Sequence, residues 1–307
     1  MRILFAGTPQ TAIPSLTALA EHHDVVGVLT RAPAPVGRKR ILTPSPVQLA
    51  AENLGIPVYT PQSLHDTGIE QTIRELAPEA VAVVAYGLLV PQKLLDIPTH
   101  GWLNLHYSLL PRWRGASPVQ CAIAAGDTTI GTSVFQLEKG LDTGPVADME
   151  EHEVSGRTAG EMLTYLSDTG VRQLVRVFAE LENGTATFTA QTGEPTHAPL
   201  LRARDVKIDW TASAPAVDAW IRGFTPEPGP WTMLDGQRVK VGPVRVRPEI
   251  THLAPGEIAP GKQVLVGTGE AAVELGQVAP AGKTWMNAAD WARGIKTDNP
   301  RFEVVDK

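Results

Sequence analysis

Between Arg2 and Glu182 the chain alternates short apolar runs with segments of helical spacing, and this alternation restricts it to few folds. "RILFAG" (2–7), "DVVGVLT" (24–30), "IPVYT" (56–60), "AVAVVAYG" (80–87) and "GWLNLH" (101–106) read as strands. Between them, "TAIPSLTALAEH" (11–22) spaces its apolar residues as a helix face does. "SPVQLAAENLG" (45–55) has Ser45 as cap, Pro46 at the first helical position and Gly55 as stop, and "SPVQCAIAAG" (117–126) repeats that pattern. A further helix falls near 68–77 and a long one near 158–182, with a short strand expected near 185–191. Strand and helix in alternation imply an α/β domain whose mostly parallel sheet is covered on both faces. "TSVFQL" (132–137) alternates more clearly and is placed near a sheet edge.

The pattern then changes. "TGEPTHAPLLRARD" (192–205) has little periodicity and reads as a linker, and "SAPAVDAWIRGF" (213–224) as a helix. Beyond it, short runs such as "RVKVGPVRV" and "QVLVGTG" among many Gly and Pro suggest a small β-barrel or sandwich. The expected organisation is a catalytic domain over 1–191, a linker over 192–205 and a second domain over 206–307.

Chemistry concentrates in "WLNLHYSLLPRWRGASP", from residue 102. Strand side chains alternate faces, so Asn104 and His106 share one face, with Trp102, and Leu103 and Leu105 take the other. The pair stands at the carboxyl end of an expected parallel strand, where open α/β sheets place ligands. A neutral His passes protons near pH 7, and an Asn amide can hold a carbonyl oxygen as it turns negative. Together they suit acyl or one-carbon transfer; a pair that merely bonds to backbone at a strand end is the equally weighted alternative. "EKGLDTGPV" (138–146) offers Asp142, between Gly140 and Gly144, to orient the His, although Asp also favours turns for its own sake.

Competing chemistries lack their fingerprints. "AGTPQTAIPS" after the first strand is not G-x-G-x-x-G, and neither a P-loop nor a G-x-S-x-G elbow occurs. No Cys/His cluster has zinc spacing, so no metal is expected. The single cysteine, Cys121, allows no intrachain disulfide and reads as a small buried hydrophobe. No run reaches the roughly 18 apolar residues of a membrane span. A net charge of −6 argues weakly against a general nucleic-acid binder. These features give a cytoplasmic protein without membrane contact, expected to be a monomer.

Basic residues are nonetheless grouped. "TRAPAPVGRKRILTPSPVQ" (30–48) carries Arg31, Arg38, Lys39 and Arg40, and no acid occurs from Val25 to Ala51. Its Pro and Gly content makes a regular element unexpected over 31–44. The loop follows the second strand on the rim that carries His106, and Arg112 and Arg114 follow the catalytic strand, so a polyanionic substrate suits the placement. A solubilising surface loop is the plain alternative. Arg238, Lys240, Arg245 and Arg247 form evenly spaced pairs in the second domain.

These segments resemble a known family. "ILFAGTP", "GRKRILTPSPV", "VVAYGLLVP", "NLHYSLLPRWRGASP", "GLDTG", "IRGFTPEPGPW" and "GKTWMNAADWARG" are similar to the folate-dependent formyltransferases, and to the methionyl-tRNA formyltransferases among them, over nearly the whole length. The resemblance implies a Rossmann-like domain followed by a C-terminal OB-like barrel that binds tRNA. It implies transfer of a formyl group from 10-formyltetrahydrofolate to the amino group of methionyl initiator tRNA. On matching positions, Asn104, His106 and Asp142 are catalytic. Ser108, Leu109, Leu110 and Pro111 contact the folate, and Tyr86, Gly87, Leu88 and Leu141 line its pocket. Arg38, Lys39 and Arg40 reach the acceptor stem. Tyr107 stands where a small residue is common, Glu227 where an aromatic is common, and a Lys often seen near Leu200 is missing. A sugar-nucleotide formyltransferase would share the catalytic trio, and an RNA-binding protein without catalysis would share the basic loop. The "GTP" start and the intact trio weigh against these two.

Overall fold

The structure, a computed structural model, describes residues 1–37 and 39–304. The chain divides into two compact units, the first built from residues 1–116, 130–152 and 163–198, the second from 117–129, 153–162 and 199–307. In chain order the elements up to Ala198 are β1 (Arg2–Gly7), α1 (Ile13–His22), β2 (Asp24–Leu29), β3 (Ala34–Val36), β4 (Ile41–Thr43), α2 (Pro46–Asn53), β5 (Val58–Tyr59), α3 (Thr67–Leu76), β6 (Ala80–Val84), α4 (Gln92–Leu95), β7 (Trp102–His106), β8 (Arg114–Gly115), α5 (Pro118–Ala124), β9 (Thr129–Gln136), β10 (Val146–Glu153), α6 (Ala159–Glu182) and β11 (His197–Ala198).

The first unit is built on a seven-stranded sheet in the order β10-β9-β7-β6-β1-β2-β5. Strands β5, β2, β1, β6 and β7 run parallel, and β9 joins β7 antiparallel with His106 opposite Ser133. Every residue of β6 is buried, which explains why "AVAVV" is apolar without alternation: helices or loops cover both of its faces. The connecting helices start where side chains replace missing backbone partners. Ser45 Oγ accepts from Gln48 N at 3.0 Å and Asp66 Oδ1 from Gly68 N at 2.9 Å. Leu4, Leu29, Ile73, Val81 and Trp102 form the core on one side of the sheet.

Two local expectations need correction and one holds. The stretch 31–44 is not irregular: β3 and β4 pair antiparallel, with Val36 opposite Ile41 around the basic turn. "TSVFQL" lies near the sheet edge as expected, one strand inside β10, which occupies it. In place of a strand near 185–191 there is one bridge, Thr189 to Val146. Within 192–205, β11 joins β8 in parallel and residues 203–206 form a 3-10 turn.

In the second unit, α7 (Ala214–Gly223) precedes β12 (Trp231–Leu234), β13 (Gln237–Val241), β14 (Val244–Arg247), β15 (Ile258–Ala259), β16 (Val264–Gly267), β17 (Ala272–Leu275), β18 (Gln277–Pro280), β19 (Met286–Asn287) and α8 (Ala288–Ala292). The strands form two four-stranded antiparallel sheets, β12-β13-β18-β19 and β14-β17-β16-β15. Both contribute to one core around Trp210, which stacks on Phe302 at 5.2 Å and donates from Nε1 to Thr232 Oγ1. Among the described residues no helix is long and apolar enough to cross a membrane.

Candidate active site

Strand β7 ends at the sheet rim with His106, a residue 6% exposed. Its Nε2 lies 3.0 Å from the Trp113 carbonyl oxygen. A carbonyl only accepts, so Nε2 carries the proton. On the other side Nδ1 faces Asp142 Oδ2 at 3.9 Å. Burial holds the imidazole pKa below its ordinary value of 6.5, while the Asp142 charge and the Trp113 carbonyl pull the other way. The resting ring is therefore neutral near pH 7, yet both nitrogens point at acceptors. The second contact becomes a hydrogen bond only when the ring takes up a proton, and such contacts tighten in the reacting complex.

Asp142 is brought to this ring by the turn after β9. Its own φ is +51°, a left-handed conformation that Asp tolerates better than most residues. Gly144 follows because a Cβ there would lie 1.8 Å from the Gln136 carbonyl oxygen. The Asp142 carboxylate is 9% exposed as a residue and accepts from Gly115 N at 2.7 Å. The Gln191 amide donates to the carbonyls of Asp142 and Gly144, each at 2.8 Å. Asn104 sits two residues before His106 on the same strand face, half-buried, paired in register with Val83 on one side and Phe135 on the other. Among the described residues no hydrogen bond occupies its side-chain amide, which leaves an N–H pair open to a ligand oxygen.

The residues expected to hold a folate fall into two groups. Ser108 is fully buried and its Oγ donates to Arg112 O at 2.6 Å, so its hydroxyl serves the turn. Leu110 and Pro111 are buried, and Leu109 packs against Gly131, where a Cβ would come within 2.3 Å of its Cδ2. Tyr86 follows β6, the strand parallel to and beside β7, but its ring is buried among Leu4, Ile69 and Trp102. Burial pushes the Tyr86 phenol up to about 12, against the pull of Arg31. What this loop offers outward is the backbone of exposed Gly87, with nothing within 4 Å of a Cβ position, and half-buried Leu88. Leu141 is 51% exposed next to Asp142. Tyr107 is buried on the opposite face and reaches the Thr11 carbonyl at 3.4 Å, so it does not intrude on the site.

Lys39 and Arg40 are exposed at the turn of the β3–β4 hairpin, which follows β2 on the same rim of the parallel strands; Arg38 lies outside the described residues. The hairpin also exposes Val36, Ile41 and Leu42. Trp113, Gly115, Gln191 and Thr196 escaped sequence reasoning although they hold the site together. The Arg-Trp-Arg run marked the first two as a basic loop only, and nothing in the apparent linker marked the others. Among the described residues no group of three His, Cys, Asp or Glu is placed to hold a metal ion.

Two family models match the chain: Formyl transferase over residues 1–178, and Formyl transferase, C-terminal domain, over residues 200–296. The methionyl-tRNA formyltransferase of Paenarthrobacter aurescens is 53% identical over 300 residues, which is 97% of this chain and 98% of that protein. Among solved structures, HypX from Aquifex aeolicus in complex with tetrahydrofolic acid matches with a TM-score of 0.66 and 16% identity, over 99% of this chain and 51% of that one. A methionyl-tRNA formyltransferase from Clostridium thermocellum matches with a TM-score of 0.59 and 17% identity, over 80% of this chain and 94% of that one. These structural likenesses concern the fold.

Proposed function

The chain belongs to the methionyl-tRNA formyltransferase family, and from that premise we propose that the cleft around Asn104, His106 and Asp142 is where it moves the formyl group. The reaction carries a formyl group from 10-formyltetrahydrofolate to the free amine of methionyl initiator tRNA. The single observation that supports this site is the imidazole of His106, buried and neutral, between the Trp113 carbonyl and the Asp142 carboxylate.

The rim fits a flat, partly apolar donor: Leu88 and Leu141 offer apolar surface, and the open backbone at Gly87 admits close approach. The bound folate supplies the activated one-carbon acyl group. The amide of Asn104 donates to the formyl oxygen as the amine adds to the carbon and negative charge develops there. His106 takes the proton that the amine sheds, on Nδ1, and the resulting imidazolium lies between two acceptors, Trp113 O and Asp142 Oδ2. The same ring can return the proton to the folate nitrogen as it leaves. Asp142 stabilises the charged ring and fixes its orientation. Lys39 and Arg40, with Arg38, supply cations for the phosphates of the acceptor stem.

The test is steady-state formylation of charged initiator tRNA. Replacing His106 with Ala is expected to lower kcat by about a hundredfold or more, with the KM for tRNA unchanged. Asn104→Ala is expected to lose about 3 kcal/mol of transition-state stabilisation, the typical effect of one oxyanion donor. Turnover within a few-fold of wild type in His106→Ala would remove the proposal.

A further inference from the structure

Both acceptors that flank the His106 ring are held from one short stretch of chain, residues 191–198. Thr196 Oγ1 accepts from Trp113 N at 2.8 Å, its carbonyl accepts from Arg114 N at 2.9 Å, and its N donates to Pro111 O at 3.3 Å. The carbonyl of Trp113 is the one that accepts from His106 Nε2. Trp113 has a φ of +59°, a conformation a bulky residue adopts only when its neighbours impose it. Gln191 does the equivalent for Asp142. Its Nε2 donates to the carbonyls of Asp142 and Gly144, while its Oε1 accepts from Arg114 Nε at 3.1 Å and from Arg114 Nη2 at 2.6 Å. The Asp142 backbone is itself left-handed, so this amide spans and holds a strained turn. The β8–β11 pair completes the arrangement, with Ala198 O accepting from Ala116 N at 2.8 Å and Arg114 opposite His197 in register. Gly115 between them donates to the Asp142 carboxylate.

We propose that Gln191 and Thr196 are positioning residues for formyl transfer: Gln191 sets the Asp142 carboxylate and Thr196 sets the Trp113 carbonyl, so that residues 191–198 form a strap that fixes the imidazole between its two acceptors. Neither side chain touches the reacting atoms. Each acts on an acceptor whose place decides whether His106 can carry a proton during the reaction. A shift of one acceptor leaves the imidazolium half-paired in a buried site, which raises the barrier without altering how tRNA or folate binds. The inference rests on the catalytic reading above.

The experiment compares Gln191→Met, Thr196→Val and Thr196→Ser with wild type and with His106→Ala, in the full-length protein. Gln191→Met keeps length and loses all four hydrogen bonds; Thr196→Val keeps shape and loses only the hydroxyl. The expected result is a kcat lowered at least tenfold in both, with KM for donor and for charged tRNA within twofold of wild type. Thr196→Ser restores the acceptor and is expected to keep turnover within threefold. In Gln191→Met the NMR titration midpoint of His106 moves down, because the carboxylate that favours the charged ring has drifted. A merely structural role would lower thermal stability and leave that midpoint in place. Should Gln191→Met fail to fold, Gln191→Glu retains the Arg114 contact, cannot donate to the two carbonyls, and carries the same kinetic expectation, the midpoint being read only in Gln191→Met because the added carboxylate itself favours the charged ring. Wild-type kcat in folded Gln191→Met and Thr196→Val, beside an inactive His106→Ala, overturns the strap alone. An active His106→Ala overturns the catalytic reading beneath it.

Discussion

At position 115 a methyl group has no room. A Cβ there would lie 2.4 Å from the Ala198 carbonyl oxygen, and the φ of +122° is reached easily only by glycine. The amide of this same residue donates to the Asp142 carboxylate. Gly115→Ala is therefore expected to displace that donor, lowering turnover about tenfold and stability by about 1–3 kcal/mol, the usual range for a strained backbone position; kinetics and denaturant titration read the two effects. The charge of Asp142 acts on its neighbour in a defined direction. Burial holds the His106 pKa below 6.5 and Asp142 opposes it, so Asp142→Asn is expected to move the NMR midpoint further down, and an upward shift would contradict the geometry. At this scale the sequence was informative, because alternation along a strand put Asn104 and His106 on one face before any coordinates. It was silent on Trp113, whose contribution is a backbone carbonyl that any side chain could carry.

The hairpin of β3 and β4 shows what one element adds. Its two strands are exposed throughout, so neither has the apolar alternation that marks a strand packed on a core, and Pro33, Pro35 and Pro44 suggested a loop. The pairing of Ala34 with Thr43 and of Val36 with Ile41 carries the basic turn as a unit. Lys39→Ala and Arg40→Ala are each expected to raise the KM for tRNA, leave the KM for the folate donor unchanged, and flatten the log–log salt dependence by about one unit per lost phosphate contact. Identical salt slopes in variant and wild type would exclude phosphate contacts from the hairpin. The strap formed by 191–198 makes the complementary point. Its residues have no periodicity because they pair with β8 over two residues only and otherwise through side chains and the backbone bond from Thr196 N to Pro111 O. A stretch held in that way carries the composition of a linker.

Across the molecule, three histidines are shifted in the same direction. Burial lowers the pKa of His106, and it is also the largest cause for His23 and His152. All three are disfavoured as cations in the folded chain and titrate near 6.5 when unfolded. Above that value neither state binds the proton and nothing is lost. Below it the unfolded chain binds more protons than the folded one, so stability falls as pH drops from 6.5 toward the lowered folded values. The melting temperature is accordingly expected to be flat from pH 7 to 8 and to fall between pH 6.5 and 5, and a rise over that acid interval would contradict it. The amino-acid sequence by itself determined the layered α/β unit, the antiparallel unit after it and the shared face of Asn104 and His106, since each follows from periodicity along a local stretch of backbone. Only the tertiary structure decided that Tyr86 turns into the core, that Asp142 faces Nδ1, and that Gln191 and Thr196 hold the two acceptors. Those outcomes depend on contacts between residues tens of positions apart, and neither period nor composition carries a trace of a partner so distant along the chain.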